Sequence, residues 1–475
     1  MIRRSAPATV LLALVTLVTL VTLVALVALV GPATGPAAGA PMPPNPYAGP
    51  DGTWNMHGDA GASDTTPFEG PGARPSLAQP VPLPAVCPTI LSGSDGMVQA
   101  LCTEYVDRAP SLYLLDPPTL LPVARRHLSA GALLGGVYAY VDDESRLVTV
   151  DGSGSLLWLA HSRSGIGWSI DVEREVPIPL PEGDAVTTVG PGYDANVWFA
   201  TAQGRAGFVT PGGDVVTADL GGGGEKVANS ISSAPSGVAV TTDHATYLLR
   251  ADRNGEAVRT VWRQPYDRGV ARKPGQLSHG SGSTPTFFGE RTGADFVVIT
   301  DNAAPRENLL VYRARDGREI CRLPILTDES SGTENSPVAW DSSVYIASTY
   351  GYPYPAQATE DAGESVPAEA DFAGGMERID VDEASGTCTS VWRNEVPSAA
   401  VPRLSRGEDV LYTVARRGNG TTWRLARIDP ANGEILSETF LGLGPLANTL
   451  QMVGTILPDG TLLQGTLAGL VALRR

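Results

Sequence analysis

The sequence is short of basic residues, of cysteine and of catalytic motifs, and each shortage excludes something. Lysine and arginine number 34 against 51 aspartate and glutamate residues, which gives a net charge of −17. Nucleic-acid phosphates are bound by lysine and arginine, and no block of basic residues stands out, so nucleic acid is not expected as a partner. The acidic balance is typical of a soluble exported protein.

Standard catalytic and nucleotide-binding motifs are absent. The sequence contains no G-x-S-x-G, no H-E-x-x-H, no P-loop and no paired C-x-x-C. The glycine run from Gly221 to Gly224 is interpreted as a flexible connection, because no βαβ unit surrounds it as a dinucleotide fingerprint requires. No amphipathic run of a dozen residues predicts a helix beyond the N-terminal region.

Only one long apolar run is present, and it lies near the N-terminus. Residues Val10 to Val30 carry no charge, and a pair of arginines precedes them. This pattern predicts a signal peptide within residues 1–40. The run is also long enough for an uncleaved membrane anchor, and Pro41 is a poor residue to follow a cleavage site. Either alternative predicts a secreted or extracytoplasmic protein, anchored by residues 10–30 in the second case.

Residues 41–84 are rich in Pro, Gly, Ala and Ser, which predicts a linker with a strand near its end. Within it, the stretch WNMHGDAGASDT places His57, Asp59 and Asp64 close together. His57 and Asp59 are candidates for a lid over a binding site. The alternative is a disordered or strand-forming piece without a site role.

The four cysteines are separated into two pairs. Cys87 and Cys102 flank one turn, and Cys321 and Cys388 lie in two later segments. An even number of cysteines in an exported chain predicts disulfides within these pairs. The spacing does not match a zinc site, and buried free thiols are the alternative.

One short pattern recurs eight times from about residue 85 to the end. Each copy has a turn residue followed by a run rich in Val, Tyr, Ile and Thr, which predicts a buried strand. The copies are GMVQALCT (Gly96), GVYAYVD (Gly136), NVWFATA (Asn196), GVAVTTD (Gly237), DFVVITD (Asp295), SVYIAST (Ser343), DVLYTVA (Asp409) and GTLLQGT (Gly460). Strand–turn–strand segments follow most copies, with Gly255, Gly317, Gly386 and Gly433 at the turns.

Eight repeats of about four strands match the blades of a β-propeller. We therefore predict an all-β chain in which residues 85–475 form a single β-propeller. Eight four-stranded blades are expected, with seven as the alternative, and a two-sheet sandwich array competes more weakly. After GTLLQGT and GLVALRR the chain ends, so the last blade lacks an outer strand. A strand from before Cys87 is predicted to supply it and close the ring.

The turn segments resemble a known family. RIDPANGEI and IDVDEASGTCTSVW are similar to the Asp-x-x-x-Gly-x-x-x-Trp signature of the quinoprotein (PQQ-like) propeller repeat, with Trp262 and Trp392 near its docking tryptophan. GSGSTPTFFG, ITDNA and GTENSPVA resemble an uncharacterised group of exported bacterial propellers. The resemblance covers most of residues 87–475. Alcohol-oxidising members carry two adjacent cysteines over the quinone, which this sequence lacks, so PQQ is not expected.

Polar residues are predicted on the innermost strands, which face the central channel. They are Asn229, Ser230, Ser283, Thr284, Glu334, Asn335, Ser336 and Asn448. Their oxygens suit calcium, which is the candidate cation, although no cofactor is assigned. The alternative is that these groups hydrogen-bond to each other and to channel water.

Three further places are candidate ligand sites. His279 can be a ligand or a base, Asp301 and Asn302 begin a loop, and Tyr350 precedes an acidic insertion, residues 356–375, interpreted as a mobile loop. A structural role is the alternative for each. The sequence thus leaves two functions open. One is an exported propeller that binds a small ligand or a cell-surface protein at the channel mouth. The other is a metal- or cofactor-dependent enzyme, either a quinoprotein-like oxidoreductase or a calcium-dependent lactonase-type hydrolase.

Overall fold

Short runs of β-branched and aromatic residues between turns form nearly all of the regular structure. The computed structural model describes residues 39–131, 137–165, 167–360 and 362–475, and residues 40–475 form one compact unit. Residues 1–38, which contain nearly all of the predicted signal or anchor, lie outside the described residues. In the described ranges, no helix has the length and apolar character needed to cross a membrane.

Two short strands, β1 (Thr65–Thr66) and β2 (Gln79–Pro82), precede a series of sheets. Each of the next seven groups contains four consecutive antiparallel strands. They are β3 (Ala85–Ser92), β4 (Val98–Glu104), β5 (Pro110–Leu115) and β6 (Pro122–His127); β7 (Ala139–Val141), β8 (Leu147–Val150), β9 (Ser155–Ser164) and β10 (Gly167–Pro177); β11 (Val186–Pro191), β12 (Val197–Thr201), β13 (Arg205–Val209) and β14 (Val215–Asp219); β15 (Ser232–Ala234), β16 (Gly237–Thr241), β17 (Ala245–Ala251) and β18 (Val258–Pro265); β19 (Thr286–Phe288), β20 (Phe296–Thr300), β21 (Asn308–Arg313) and β22 (Glu319–Pro324); β23 (Val338–Trp340), β24 (Ser343–Ala347), β25 (Met376–Asp382) and β26 (Thr387–Asn394); β27 (Arg403–Ser405), β28 (Val410–Arg417), β29 (Thr422–Ile428) and β30 (Ile435–Leu443).

The last group is completed by a strand from the beginning of the chain. It contains β31 (Thr455–Ile456), β32 (Leu462–Thr466) and β33 (Gly469–Leu473). Strand β2 pairs antiparallel with β33, which confirms that an N-terminal strand supplies the missing outer strand. A single parallel pair, Val86 with Gly469, also joins β33 to β3. The number of blades, eight or seven, stays a prediction.

Seven of the eight recurring sequence copies overlap the second strand of a group, as the repeat predicts. The copy at Gly136 differs, because its described part contains β7, which is a first strand. The innermost strands are also shorter than predicted, since β15, β19, β23 and β27 have three residues each. The polar residues predicted on these strands therefore lie mainly in the loops that lead into them.

Helical structure is confined to short pieces. One α-helix, α1 (Ala356–Thr359), lies in the insertion after β24. Two 3-10 helices cover Gly418–Gly420 and Pro445–Ala447. The near absence of helices agrees with the sequence, which has no amphipathic helical pattern in this region.

Two tryptophans on outer strands pack against hairpin turns of the next group. The indole Nε1 of Trp262 on β18 donates to the Ala314 carbonyl oxygen at 2.7 Å. A methyl group on Gly317 would lie 2.7 Å from the Trp262 ring, and one on Gly433 would lie 2.5 Å from the Trp392 ring. Both glycines have positive φ. Glycine is therefore needed there for the turn and for the close approach of the indole, as the resemblance implies.

Both predicted disulfides are present. Cys87 is bonded to Cys102, and Cys321 is bonded to Cys388. The first joins neighbouring strands β3 and β4, and the second joins β22 to β26, the outer strands of two successive groups. Two disulfides are compatible with an extracytoplasmic protein.

Candidate functional site

The segment from Thr53 to Thr66, named the strap here, is buried along most of its length. Its composition predicts a linker, but in the structure its carbonyl oxygens accept hydrogen bonds from the first strands of six groups. The donors are the backbone N–H groups of Ser92, Val141, Ser233, Phe287, Ala339 and Leu404. Because the innermost strand of a sheet has an unpaired edge, the strap satisfies donors that would otherwise lack a partner.

A cavity of about 530 Å³, named the central cavity, lies between the strap and the insertion that contains α1. Met56 and His57 of the strap line it, as do Tyr354, just before the insertion, and Gln357 and Ala358 within it. Much of the remaining wall is apolar. The apolar lining residues are Val86, Pro88, Val137, Leu277, Val401, Leu450, Met452, Val453 and Leu467. This composition and size are typical of a site for a small organic ligand.

Six of the predicted site residues line the central cavity. They are His57, Asn229, Thr284, Glu334, Asn335 and Ser336. The two amides already have protein partners, since Asn229 Nδ2 donates to the Ser281 carbonyl oxygen and Asn335 Nδ2 donates to Gln451 Oε1, both at 3.1 Å. The fold therefore brings some of the predicted polar residues to one cavity. Hydrogen bonds within the protein already engage the side chains of Asn229 and Asn335.

His57 is the most completely oriented of these groups. Its Nδ1 lies 3.1 Å from both carboxylate oxygens of Asp64. Its Nε2 lies 3.5 Å from Thr284 Oγ1. His57 is 7% exposed and Asp64 is 0% exposed. A carboxylate at Nδ1 favours the tautomer with the proton on that nitrogen, which leaves the Nε2 lone pair available.

A buried arginine supports the same pair. Arg403 is 1% exposed, and its Nη1 lies 3.9 Å from Asp64 Oδ1. The guanidinium also donates to the carbonyl oxygens of Gly454, Met56 and Thr65. Burial lowers the pKa of Arg403, while the charge of Asp64 opposes that effect. Sequence reasoning missed Arg403, because a lone arginine on a short strand gives no signal.

Glu334 brings a carboxyl group to the cavity wall. Its Oε2 accepts a hydrogen bond from the Leu277 N–H at 2.9 Å. Burial, assisted by the charge of Glu307, raises the pKa of Glu334 to about 8, although the Leu277 hydrogen bond and Arg272 oppose the shift. At neutral pH the carboxyl is therefore mainly protonated and can donate a hydrogen bond.

Tyr138 and Tyr354 also line the cavity. Burial is the main cause that raises the pKa of each phenol. Both therefore remain neutral hydroxyl groups. Tyr138 was not predicted, because it lies in a strand-like repeat, whereas Tyr354 stands close to the candidate Tyr350, just before the acidic insertion.

Changing Glu334 to Gln should reduce the dependence of stability on pH. The unfolded chain releases the Glu334 proton near the ordinary pKa of 4.5, whereas the folded chain holds it to about 8. Folded wild-type protein thus binds more protons between these values, and its stability falls as pH rises through that window. Between pH 6 and pH 7 the wild type should lose about 1 kcal/mol more than the variant.

Urea unfolding at the two pH values measures this difference. The charged or titratable groups that act on Glu334 are Glu307, Arg272, Tyr138 and Tyr354, and all four are retained in the variant. The same change at exposed Glu369 is the matched control. It should leave the change of stability with pH as it is in the wild type. An equal change in the free energy of unfolding between pH 6 and pH 7 for wild type and Glu334→Gln would contradict the raised pKa of Glu334.

A second cavity of about 440 Å³ adjoins the first. The two share lining residues, among them Asn229, Leu277 and Ala358. His279 lines the second cavity rather than the central one. Its Nε2 lies 3.1 Å from the Gly269 carbonyl oxygen and its Nδ1 lies 3.3 Å from Arg268, so protein groups face both ring nitrogens.

The remaining predicted residues lie outside the central cavity. Ser230 lines a small cavity of about 20 Å³ beside the strap. Ser283 Oγ bonds to Thr300 Oγ1 at 2.6 Å. Asn448 Oδ1 accepts from the Tyr352 hydroxyl at 2.5 Å. Asn448 therefore does not join Asn229, Glu334 and Asn335 in the central cavity.

The loop and lid candidates also have structural contacts. Asp301 accepts from the backbone and side chain of Asn308, and Asn302 Nδ2 donates to two carbonyl oxygens. The Tyr350 carbonyl oxygen accepts from Ala373 within the insertion. Asp59 is buried in the strap and binds Ser63, and burial raises its pKa to about 6.

The described residues do not form a recognisable calcium or PQQ site. Within residues 39–131, 137–165, 167–360 and 362–475, no three His, Cys, Asp or Glu residues are grouped to hold a metal ion. PQQ carries several carboxylates and needs cations to balance them. Of the described residues lining the central cavity, Arg108 alone is a lysine or arginine, and it pairs with Glu360 at 3.3 Å. The described residues that line the central cavity therefore fit neither calcium nor PQQ.

Comparisons with other sequences identify one relative. No protein-family model matches the chain. An uncharacterized protein from Archaeoglobus fulgidus is 29% identical over 333 residues. The aligned region covers 64% of this chain and 64% of that protein, so the chain spans less than two thirds of the relative's length.

Comparisons with solved structures show a β-propeller fold, as predicted. A europium-containing methanol dehydrogenase matches with a TM-score of 0.56 and 12% identity, covering 87% of this chain and 89% of that chain. A quinohemoprotein alcohol dehydrogenase from Comamonas testosteroni has the same TM-score and identity, covering 89% and 80%. The Dos1 propeller matches with a TM-score of 0.50 and 9% identity, covering 85% and 94%. At these identities the likeness concerns the fold alone.

Proposed function

We propose that this β-propeller is an exported protein that binds a small, neutral and largely apolar ligand in the central cavity. The observation that carries the proposal is the cavity itself, about 530 Å³ in volume and walled mainly by apolar side chains. The N-terminal pattern and the two disulfides support export. Membrane association, if the N-terminal run is retained, is proposed through that run.

The polar groups of the cavity define the expected ligand more closely. Protonated Glu334 donates a hydrogen bond, and the Nε2 of His57 accepts one. Much of the wall is apolar, and the charged lining residues Arg108 and Glu104 are already paired with Glu360 and Arg125. A charged ligand is therefore disfavoured, because it would lose hydration without a free opposite charge nearby. The ligand is therefore expected to combine an apolar body with a carbonyl or hydroxyl group.

We propose a route into the central cavity beside the insertion. Arg108 lies on the loop after β4, and Glu360 follows α1, so their ion pair joins the two sides of the opening. The pair is about half exposed, and such pairs contribute little to stability. We propose that ligand enters here, because the strap occupies the other side of the central cavity.

Binding of prodan tests the proposed function directly. Prodan is a neutral naphthalene with one carbonyl group, and its fluorescence shifts to the blue in apolar surroundings. One saturable site is expected, and Ala228→Trp should abolish it by filling the wall that the two cavities share. The same bulk at exposed Val391, Val391→Trp, should leave binding unchanged. Equal binding by Ala228→Trp and wild type would place the site elsewhere and contradict the proposal.

A further inference from the structure

Three side chains in the central cavity have the mutual arrangement of a nucleophile, a base and an orienting carboxylate. Asp64 contacts His57 Nδ1 with both oxygens at 3.1 Å, and His57 Nε2 lies 3.5 Å from Thr284 Oγ1. Such units are recognised by geometry and role, and their nucleophile–base distance is often longer without a substrate. Thr284 is 2% exposed and lines the cavity.

The Thr284 hydroxyl faces His57 without a competing partner among the described residues. Among the described residues, its Oγ1 makes one hydrogen-bond contact, which is the contact to His57. Since Asp64 favours a proton on Nδ1, the hydroxyl is the donor and Nε2 is the acceptor. A hydroxyl that faces both a base and an open cavity is the arrangement that activates a nucleophile.

We infer that Thr284, His57 and Asp64 form a catalytic unit with which the central cavity hydrolyses small neutral carboxylic esters. The inference rests on the proposed function, because the ester must occupy the same cavity. Thr284 and His57 would be the catalytic residues, and Asp64 would be a positioning residue. The chemistry uses no metal and no redox cofactor.

The proposed reaction balances in two steps. In the first, Thr284 Oγ1 forms a bond to the ester carbonyl carbon while its proton moves to His57 Nε2. The bond to the leaving oxygen then breaks, and that oxygen takes the proton from Nε2. In the second, water gives a proton to Nε2 and attacks the acyl carbon, and Thr284 recovers its proton as the acid leaves.

Glu334 is placed to support this chemistry. A methyl group on Gly282 would lie 2.7 Å from Glu334 Oε2, and Gly282 is two residues from Thr284. Glu334 and Thr284 both line the central cavity, so the carboxyl faces the same space as the nucleophile. A protonated carboxyl can donate a hydrogen bond to the negative oxygen that develops during acyl transfer.

Acylation by p-nitrophenyl acetate tests the inference on the full chain. We expect a burst of p-nitrophenolate and one acetyl group on the peptide that contains Thr284, detected by mass spectrometry. Thr284→Val should abolish this adduct, and Thr284→Ser should retain it. His57→Gln should slow acylation by about 100-fold or more. Asp64→Asn should slow acylation even when the rate is referred to the fraction of protein that still binds prodan.

The controls separate lost chemistry from lost structure. His161 pairs with Asp95 away from the cavity, so His161→Gln removes a matched histidine and should acylate at the wild-type rate. Prodan binding by each slow variant shows that its cavity is formed. Prodan binding without Thr284 acylation would overturn the hydrolytic inference alone, as would an acetyl group on another residue. Failure of wild type to bind prodan would instead contradict the proposed function.

Discussion

Replacing Asp64 with alanine is expected to lower the free energy of unfolding by about 3–5 kcal/mol. Asp64 is fully buried and is the carboxylate partner of both His57 and Arg403. Without it, the buried guanidinium of Arg403 keeps its desolvation cost but loses its counter-charge. Removal of one member of a buried pair therefore costs much more than the pair itself contributes.

Urea or thermal unfolding measures this effect, and two variants complete the experiment. Asp143→Ala removes an exposed aspartate from the nearby β7–β8 turn and should change stability by less than about 0.5 kcal/mol. Asp64→Ala combined with Arg403→Met should be more stable than Asp64→Ala alone, because the unpaired charge is gone. A small effect of Asp64→Ala would mean that the strap is not held by this pair.

Replacing Trp392 with alanine is expected to cost about 3–5 kcal/mol. The indole is 9% exposed, packs over Gly433 and donates from Nε1 to the Pro430 carbonyl oxygen at 2.8 Å. The substitution would remove a large buried ring and leave the Pro430 oxygen without its donor. It would also loosen the contact between the groups β23–β26 and β27–β30.

The neighbouring residue on the same strand provides a matched control. Val391 is 45% exposed, so Val391→Ala should have an effect within about 0.5 kcal/mol. Trp262, which packs over Gly317 in the same way, should behave like Trp392 when changed to alanine. Comparable unfolding midpoints for Trp392→Ala and wild type would contradict the docking role.

The strands, hairpin turns, disulfide pairs and closing strand could be predicted because their signals are local or strongly paired. Gly317 and Gly433 mark turns whatever surrounds them, and the missing outer strand of the last repeat required a replacement. The strap could not be predicted, since its proline- and glycine-rich composition is that of a linker. Its order comes from backbone hydrogen bonds to strands spread from Ser92 to Leu404, which leave no local pattern.

The candidate site was predictable to a similar extent. Asn229 and Asn335 were expected to lie near one another because they occupy comparable places in their repeats, and Glu334 precedes Asn335; all three line the central cavity. Asn448 occupies a comparable place but turns to Tyr352, whose position depends on the packing of the insertion. The contact between His57 and Thr284 joins residues 227 positions apart, and no repeat relates them.

A crystal structure of the protein with prodan would show where the ligand binds. We expect density for one molecule in the central cavity, between the strap and α1, within reach of His57 and Glu334. Density only outside this cavity, or an empty cavity in crystals at saturating prodan, would contradict it.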